Sequence, residues 1–177
     1  EVFMTPLLIV IDMQNDFIDG ALGTNEAVAI VPNVIKKIKT FHGKVLATRD
    51  THGENYLETQ EGGKLPIKHC IRNTVGWEIN EKIQSLLSET PIDKETFGSR
   101  KLPIVLQKYN EEEKIESITL IGLCTDICVI SNAMVLKTYF PEIPIIVDAS
   151  CCAGVTPQSH RQALETMKVC QIEIVGE

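Results

Sequence analysis

The segment Pro6-Leu7-Leu8-Ile9-Val10-Ile11-Asp12 is an unbroken apolar run closed by an acid. No polar residue alternates with the apolar ones, so the strand it predicts has both faces covered, as in the interior of a parallel sheet. Working outward, Asn25 to Thr40 reads as a helix, with Val28, Val31, Ile35 and Ile38 near one face and Lys36, Lys37 and Lys39 turned outward. Gly43 closes it, and Lys44 to Arg49 is a second strand. Asn80 to Ser88 reads as a helix, Pro91 to Lys94 as a short strand, and Pro103 to Asn110 as a helix ending in a solvated Glu111-Glu112-Glu113-Lys114 turn. Ser117 to Gly122 is a buried strand, Asp126 to Tyr139 a helix with Val129, Ala133 and Leu136 in one stripe, and Ile143 to Val147 a strand. Thr156-Pro157 supplies an N-cap and a first-position proline for a helix reaching about Val169, and Gln171 to Val175 is the last strand. This alternation predicts an α/β fold, a three-layer α/β/α sandwich around a mostly parallel six-stranded sheet.

The chain has 177 residues, 44% hydrophobic and 23% charged, enough for one domain over residues 1–177 that folds without metal or disulfides. The net charge of −7 speaks against a nucleic-acid partner. No apolar run approaches the ~18 residues of a membrane span, and no segment reads as a secretory leader. There is no internal repeat. The six cysteines, Cys70, Cys124, Cys128, Cys151, Cys152 and Cys170, include no CxxC pair. They read as free thiols of a cytoplasmic protein, with Cys151 and Cys152 as core thiols or a subunit contact.

In such a sheet, ligands bind beyond the carboxyl ends of the strands. Asp12 follows the first strand, Asp50 and His52 the second, Lys94 the short strand, Cys124 and Cys128 the central strand, and Asp148 the fifth. Singly these are a turn acid, a solvated lysine and a core thiol; together on one rim they argue for a site. A thiol in the first turn of a helix, near a lysine, is expected to have a lowered pKa. A carboxylate in reach can take its proton and pass it to a leaving amine. Backbone N–H groups of the Gly122–Cys128 turn can receive an oxyanion. No GxSxG elbow is present. Residues 50–76 lack periodicity, which in a connection this long points to function. Within them, Asp50 and His52 face the same way on an extended segment, and His69 follows seventeen residues later. That mixed N/O set suits zinc, iron or manganese.

Val10-Ile11-Asp12-Met13-Gln14-Asn15-Asp16-Phe17, Thr48-Arg49-Asp50-Thr51-His52, Pro66-Ile67-Lys68-His69-Cys70, Asp93-Lys94-Glu95-Thr96-Phe97 and Gly122-Leu123-Cys124-Thr125-Asp126-Ile127-Cys128-Val129 resemble, in order and spacing, the isochorismatase-like cysteine hydrolases. Asp148-Ala149-Ser150-Cys151-Cys152-Ala153-Gly154, followed by a helix with His160, resembles the closing motif of that family. The resemblance implies a homo-oligomer, dimer or tetramer, and a catalytic triad in which Asp12 is the base and acid, Lys94 the electrostatic partner and Cys128 the nucleophile. It implies an oxyanion hole from the backbone of Cys124 and Cys128, with a cis peptide between Leu123 and Cys124. Within the family, the Asp50/His52/His69 set resembles the metal site of nicotinamidases, enzymes of NAD salvage, with zinc the first choice of ion. Glu61 is the preferred further ligand, turned inward by Gly62 and Gly63, and Glu58 the second choice. Phe17 is then a wall of the substrate pocket, and Trp77 a packing residue. The implied activity is hydrolysis of a small amide, nicotinamide, through a thioester. Hydrolysis of another small amide or an N-carbamoyl compound is the alternative. A phosphoacceptor receiver domain fits less well, because it needs no cysteine nucleophile; a catalytically idle metabolite-binding relative does not account for the intact Asp12, Lys94 and Cys128.

Overall fold

The structure, a computed structural model, describes residues 3–177. Six strands form one sheet: β1 (Met4–Ile11), β2 (Lys44–Asp50), β3 (Ile92–Lys94), β4 (Lys114–Leu123), β5 (Ile145–Ala153) and β6 (Glu173–Val175). Their order is β3-β2-β1-β4-β5-β6, and every neighbouring pair is parallel. The order reverses at β1, which lies between β2 and β4. The carboxyl ends of β1 and β4 therefore open the crevice where doubly wound sheets bind ligands.

Alternate residues of β1 enter opposite cores, as the apolar run requires. Leu7, Ile9 and Ile11 pack with Leu120 of β4 under α5 (Lys101–Glu112), α6 (Ile130–Tyr139) and α7 (Pro157–Val169). Leu8 and Val10 pack with Ile121 and Leu123 under α2 (Asn25–Thr40) and α4 (Glu81–Gln84). Two further short helices, α1 (Asn15–Ile18) and α3 (Gln60–Lys64), lie in the loops after β1 and β2.

Several elements differ from the sequence expectation. The buried face of α2 is Ala27, Ile30, Val34 and Ile38, while Val28 is 48% exposed. Both sets satisfy a helical period; the Thr24 cap on the Ala27 N–H fixes the start, and the small Ala27 turns inward. Val31 and Ile35 only flank the core. The 80–88 helix shrinks to α4, capped by the Asn80 side chain. α5 runs on through Glu111 and Glu112, so the acidic turn is helical. β5 continues to Ala153 because Cys151, Cys152 and Ala153 are all buried. Asp148 therefore sits within β5, not beyond it. Its carboxylate accepts from Ser150 Oγ at 2.6 Å and pairs with Lys37 at 2.9 Å, and it takes no part in the rim cluster.

Gly122 brings β4 against β1. Its φ is +119°, and an added Cβ would stand 2.1 Å from the Ile11 carbonyl. Only glycine fits there, and the strand ends carrying Asp12 and the Cys124–Cys128 turn are thereby held side by side.

Candidate active site

Asp12 ends β1 in the left-handed region, at φ 47°. Non-glycine residues in that region concentrate at functional sites. Its Oδ1 accepts from Thr48 Oγ1 at 2.8 Å. Its Oδ2 is 2.7 Å from Lys94 Nζ, off the direction of an aligned hydrogen bond, and no other group satisfies that oxygen among the described residues. Lys94 and Asp50 are register partners on β3 and β2, so their side chains rise on the same face. Lys94 Nζ, completely buried, also lies 3.3 Å from Cys128 Sγ, 3.5 Å from Asp50 Oδ1 and 3.1 Å from the Thr96 carbonyl.

Cys128 comes from the wide turn Thr125–Val129 between β4 and α6. The Leu123–Cys124 peptide is cis. The Cys124 carbonyl accepts from Ile127 and Val129, which fixes the turn. The Thr125 hydroxyl, buried, is 2.7 Å from His160 Nδ1 and ties the turn to α7. Here the structure reverses one expectation. The Cys128 thiol is raised well above its ordinary pKa, first by burial and then by Asp12, and Lys94 offsets only part of this. The helix-terminus argument fails because it assumes a half-exposed sulfur, and Cys128 as a whole is only 4% exposed. A thiol so raised can act as a nucleophile only where a neighbouring group takes its proton. Burial also raises the Asp12 carboxyl, against the pull of Lys94, which makes Asp12 a better base. Burial alone would discharge Lys94, but the carboxylates of Asp12 and Asp50 hold it protonated.

The second cluster adjoins the first through Asp50. Asp50 Oδ2 lies 2.9 Å from His52 Nε2 and 3.7 Å from His69 Nε2, and one donor atom from each of the three residues fits within 4.8 Å. His69 arrives because the loop returns to β2: His52 N–H donates to the Cys70 carbonyl, and Arg72 N–H to that of His52. His69 Nδ1 is 2.8 Å from the Ile67 carbonyl, which assigns the proton to Nδ1 and leaves the Nε2 lone pair facing Asp50. Burial opposes ionisation of Asp50, yet the hydrogen bond from His52 and the charge of Lys94 hold its pKa below the ordinary value. A buried, ionised carboxylate with two imidazoles is a donor set that fits a divalent ion.

Glu61 faces this cluster, 3.5 Å from His52 Nε2, and Glu58 is exposed. The cause is not glycine flexibility. Glu61 is aimed by the helical turn of α3, and Gly62 is required because a Cβ would stand 2.0 Å from the Tyr56 carbonyl.

The two clusters border a cavity of about 270 Å³ whose walls include Phe17, Leu22, Leu65, Phe97, Ile127 and Cys124. That is small beside the ~300–1,000 Å³ of drug-sized pockets and suits a small ligand. Phe17 stands 5.5 Å from the His69 ring. Trp77 lies outside this cavity, stacked under Arg49 at 3.6 Å.

Two supporting residues were given no role from the sequence, although Gln14 lies within the Val10–Phe17 segment. Tyr56, completely buried, packs its ring 4.8 Å from His52 and 5.0 Å from His69 and donates to the Leu65 carbonyl. Gln14 grips the Asp50 backbone from both sides, accepting from its N–H and donating to its carbonyl, each at 2.7 Å. The only sequence hint was position: a glutamine two residues after Asp12, and an aromatic between the two histidines.

The isochorismatase-domain family model matches residues 6–176. The chain is 28% identical to the pyrazinamidase of Pyrococcus horikoshii solved in complex with zinc, with a TM-score of 0.80 over 98% of this chain and 99% of that one. It is 24% identical to the nicotinamidase/pyrazinamidase of Mycobacterium tuberculosis, over 95% of this chain and 97% of that protein. It is also 24% identical to the nicotinamidase of Schizosaccharomyces pombe, over 97% and 93%. Since the match spans the whole sheet, from β1 to β6, the chain belongs to the isochorismatase family.

Proposed function

We propose that this chain is a nicotinamidase, hydrolysing nicotinamide to nicotinate and ammonia through a nicotinoyl thioester on Cys128. The observation that carries the reading is the position of Lys94 Nζ, 2.7 Å from Asp12, 3.3 Å from Cys128 and 3.5 Å from Asp50 of the adjoining donor set. Asp12 takes the thiol proton as Sγ attacks the carboxamide carbon, then delivers it to the departing nitrogen, which leaves as ammonia. Asp12 next takes a proton from the water that attacks the thioester; the carbon–sulfur bond breaks, nicotinate leaves, and the proton returns to sulfur. Lys94 stays charged throughout and balances the carboxylate and the transient thiolate. The N–H groups of Cys124 and Cys128 receive the oxyanion. Phe17 forms an aromatic wall for the pyridine ring.

Asp50, His52 and His69, with Glu61 beside them, would hold the ion. A divalent metal there, zinc in this reading, supplies a Lewis-acid anchor for the pyridine nitrogen. Relatives named as nicotinamidases, and the zinc complex of the Pyrococcus horikoshii pyrazinamidase, support both parts. The reading includes a cytoplasmic setting, supported by the six free thiols; among the described residues no helix is long and apolar enough to cross a membrane.

The test is ammonia release from nicotinamide by the purified protein beside Cys128→Ala. Release that disappears in the variant is the expected result. No release from nicotinamide by the metal-loaded protein would remove this substrate and direct the assay to other small amides and N-carbamoyl compounds.

A further inference from the structure

Asn132 lies in the first turn of α6, four residues after Cys128, and is completely buried. A buried carboxamide costs stability unless its donors and acceptor are met. Here they are met by main chain from two separate segments. Nδ2 donates to the Cys128 carbonyl at 2.8 Å and to the Phe97 carbonyl at 3.0 Å, and Oδ1 accepts from the Ser99 N–H at 2.8 Å. The first segment carries the proposed nucleophile. The second joins β3 to α5; it carries Phe97 on the cavity wall and the Thr96 carbonyl that receives Lys94 Nζ.

The other hydrogen bonds of that second segment run within it or to its sequence neighbours: Thr96 Oγ1 donates to the Gly98 carbonyl, Lys94 Nζ to the Thr96 carbonyl, and the Lys101 and Leu102 N–H groups to Ser99 Oγ. From Glu95 to Ser99, no main-chain group bonds to another main-chain group among the described residues. Phe97 is 47% exposed, too loosely packed to fix its own place. Gly98 lets the segment approach α6: an added Cβ would stand 3.2 Å from Val135 Cγ2 and 3.4 Å from the Ser131 carbonyl.

We infer that Asn132 is a positioning residue that sets the pocket wall at Phe97 and the nucleophile turn at Cys128 in one frame. The inference rests on the amidase reading above. The side chain touches neither substrate nor reacting atoms; it acts through the two carbonyls and the N–H it holds. Binding and chemistry then depend on different bonds of one residue, and those bonds can be removed separately.

Asn132→Ser and Asn132→Ala make the separation. A helical serine can return its hydroxyl to the carbonyl four residues back, here that of Cys128, but is too short to reach Phe97 and Ser99. Asn132→Ala loses all three bonds. The expected result for Asn132→Ser is a KM for nicotinamide raised about fivefold with kcat within about twofold; Asn132→Ala adds a loss of about tenfold in kcat, since small displacements of a reacting group are costly. Exchange of the Ser99 amide, which Asn132 Oδ1 holds, should quicken in both variants, and exchange over 124–129 in Asn132→Ala alone. An unchanged KM in Asn132→Ser, or unchanged exchange of the Ser99 amide, overturns the inference. Should Asn132→Ala not fold, the KM and the Ser99 amide exchange of Asn132→Ser decide the inference. If the unaltered protein releases no ammonia from nicotinamide, the substrate reading fails and the exchange pattern alone decides the role of Asn132.

Discussion

Lys94 Nζ lies 3.3 Å from Cys128 Sγ while its own side chain has no exposure to solvent. A buried ammonium persists only with partners, and this one has the carboxylates of Asp12 and Asp50 at 2.7 and 3.5 Å. The lysine is therefore a structural counter-ion, and in the mechanism proposed above it is an element of the chemistry as well. The two roles separate in a double substitution.

Lys94→Met leaves two buried carboxylates facing each other, and breaking such a pair costs about 3–5 kcal/mol. The variant should be inactive and markedly less stable in urea unfolding. Adding Asp12→Asn removes one of the stranded charges. The double variant should regain a large part of the stability and none of the activity. Equal stability of the single and double variants would show that the ion pair is not what holds this end of the sheet.

Cys124 and Cys128 both border the cavity, and the proposed mechanism uses only the Cys128 thiol. Burial, then Asp126, pushes the Cys124 thiol up to about 12, so it stays protonated. The role proposed for Cys124 belongs to its N–H, which a side-chain change leaves in place. Cys124→Ser should keep activity within about tenfold, whereas Cys128→Ala should lose on the order of a thousandfold or more. Parallel rate measurements on nicotinamide decide it, and a dead Cys124→Ser would move part of the chemistry to its sulfur.

The elements of this site were legible in the sequence wherever the signal is local. The apolar run to Asp12 marked a strand covered on both faces, and the two-residue spacing of Asp50 and His52 put both on one side. Gln14, Tyr56 and Asn132 were not legible, because each works through main-chain groups that only the tertiary fold brings near. The direction of the Cys128 pKa was misjudged for a related reason: sequence shows the position of a thiol in a turn but not its depth. The α2 face was turned by one residue because Val28 outweighs Ala27 in any hydrophobic count, and only the Thr24 cap separates the two registers.

The donor set predicts a graded loss of metal. Asp50→Ala and His69→Ala each remove one of three donors and should reduce bound ion in the purified protein to a small fraction. Glu61→Gln, at the margin of the cluster, should weaken binding by about 10–100-fold while leaving a measurable site. Glu58→Ala should change nothing. Elemental analysis after dialysis reads all four, and a thermal midpoint raised by added zinc in the unaltered protein but not in Asp50→Ala gives an independent check. Full metal content in Asp50→Ala would place the ion elsewhere.

Asp148 gives a pH dependence that owes nothing to the active site. Burial would raise its pKa, but hydrogen bonds from Ser150 and Lys37 prevail and hold it below its ordinary value of 3.8. Between the two values the unfolded chain binds a proton that the folded chain does not, so stability rises with pH through that window. The contribution is complete above the ordinary value and is lost as pH falls through the depressed one. Asp148→Asn removes it at every pH. Thermal melts should show the variant less stable than the unaltered protein at pH 6, with the difference shrinking steadily below about pH 4 as the native carboxylate takes up its proton. A difference that stays constant down to pH 2 would mean that Asp148 contributes through packing against Ser150 and Gly176, not through its charge.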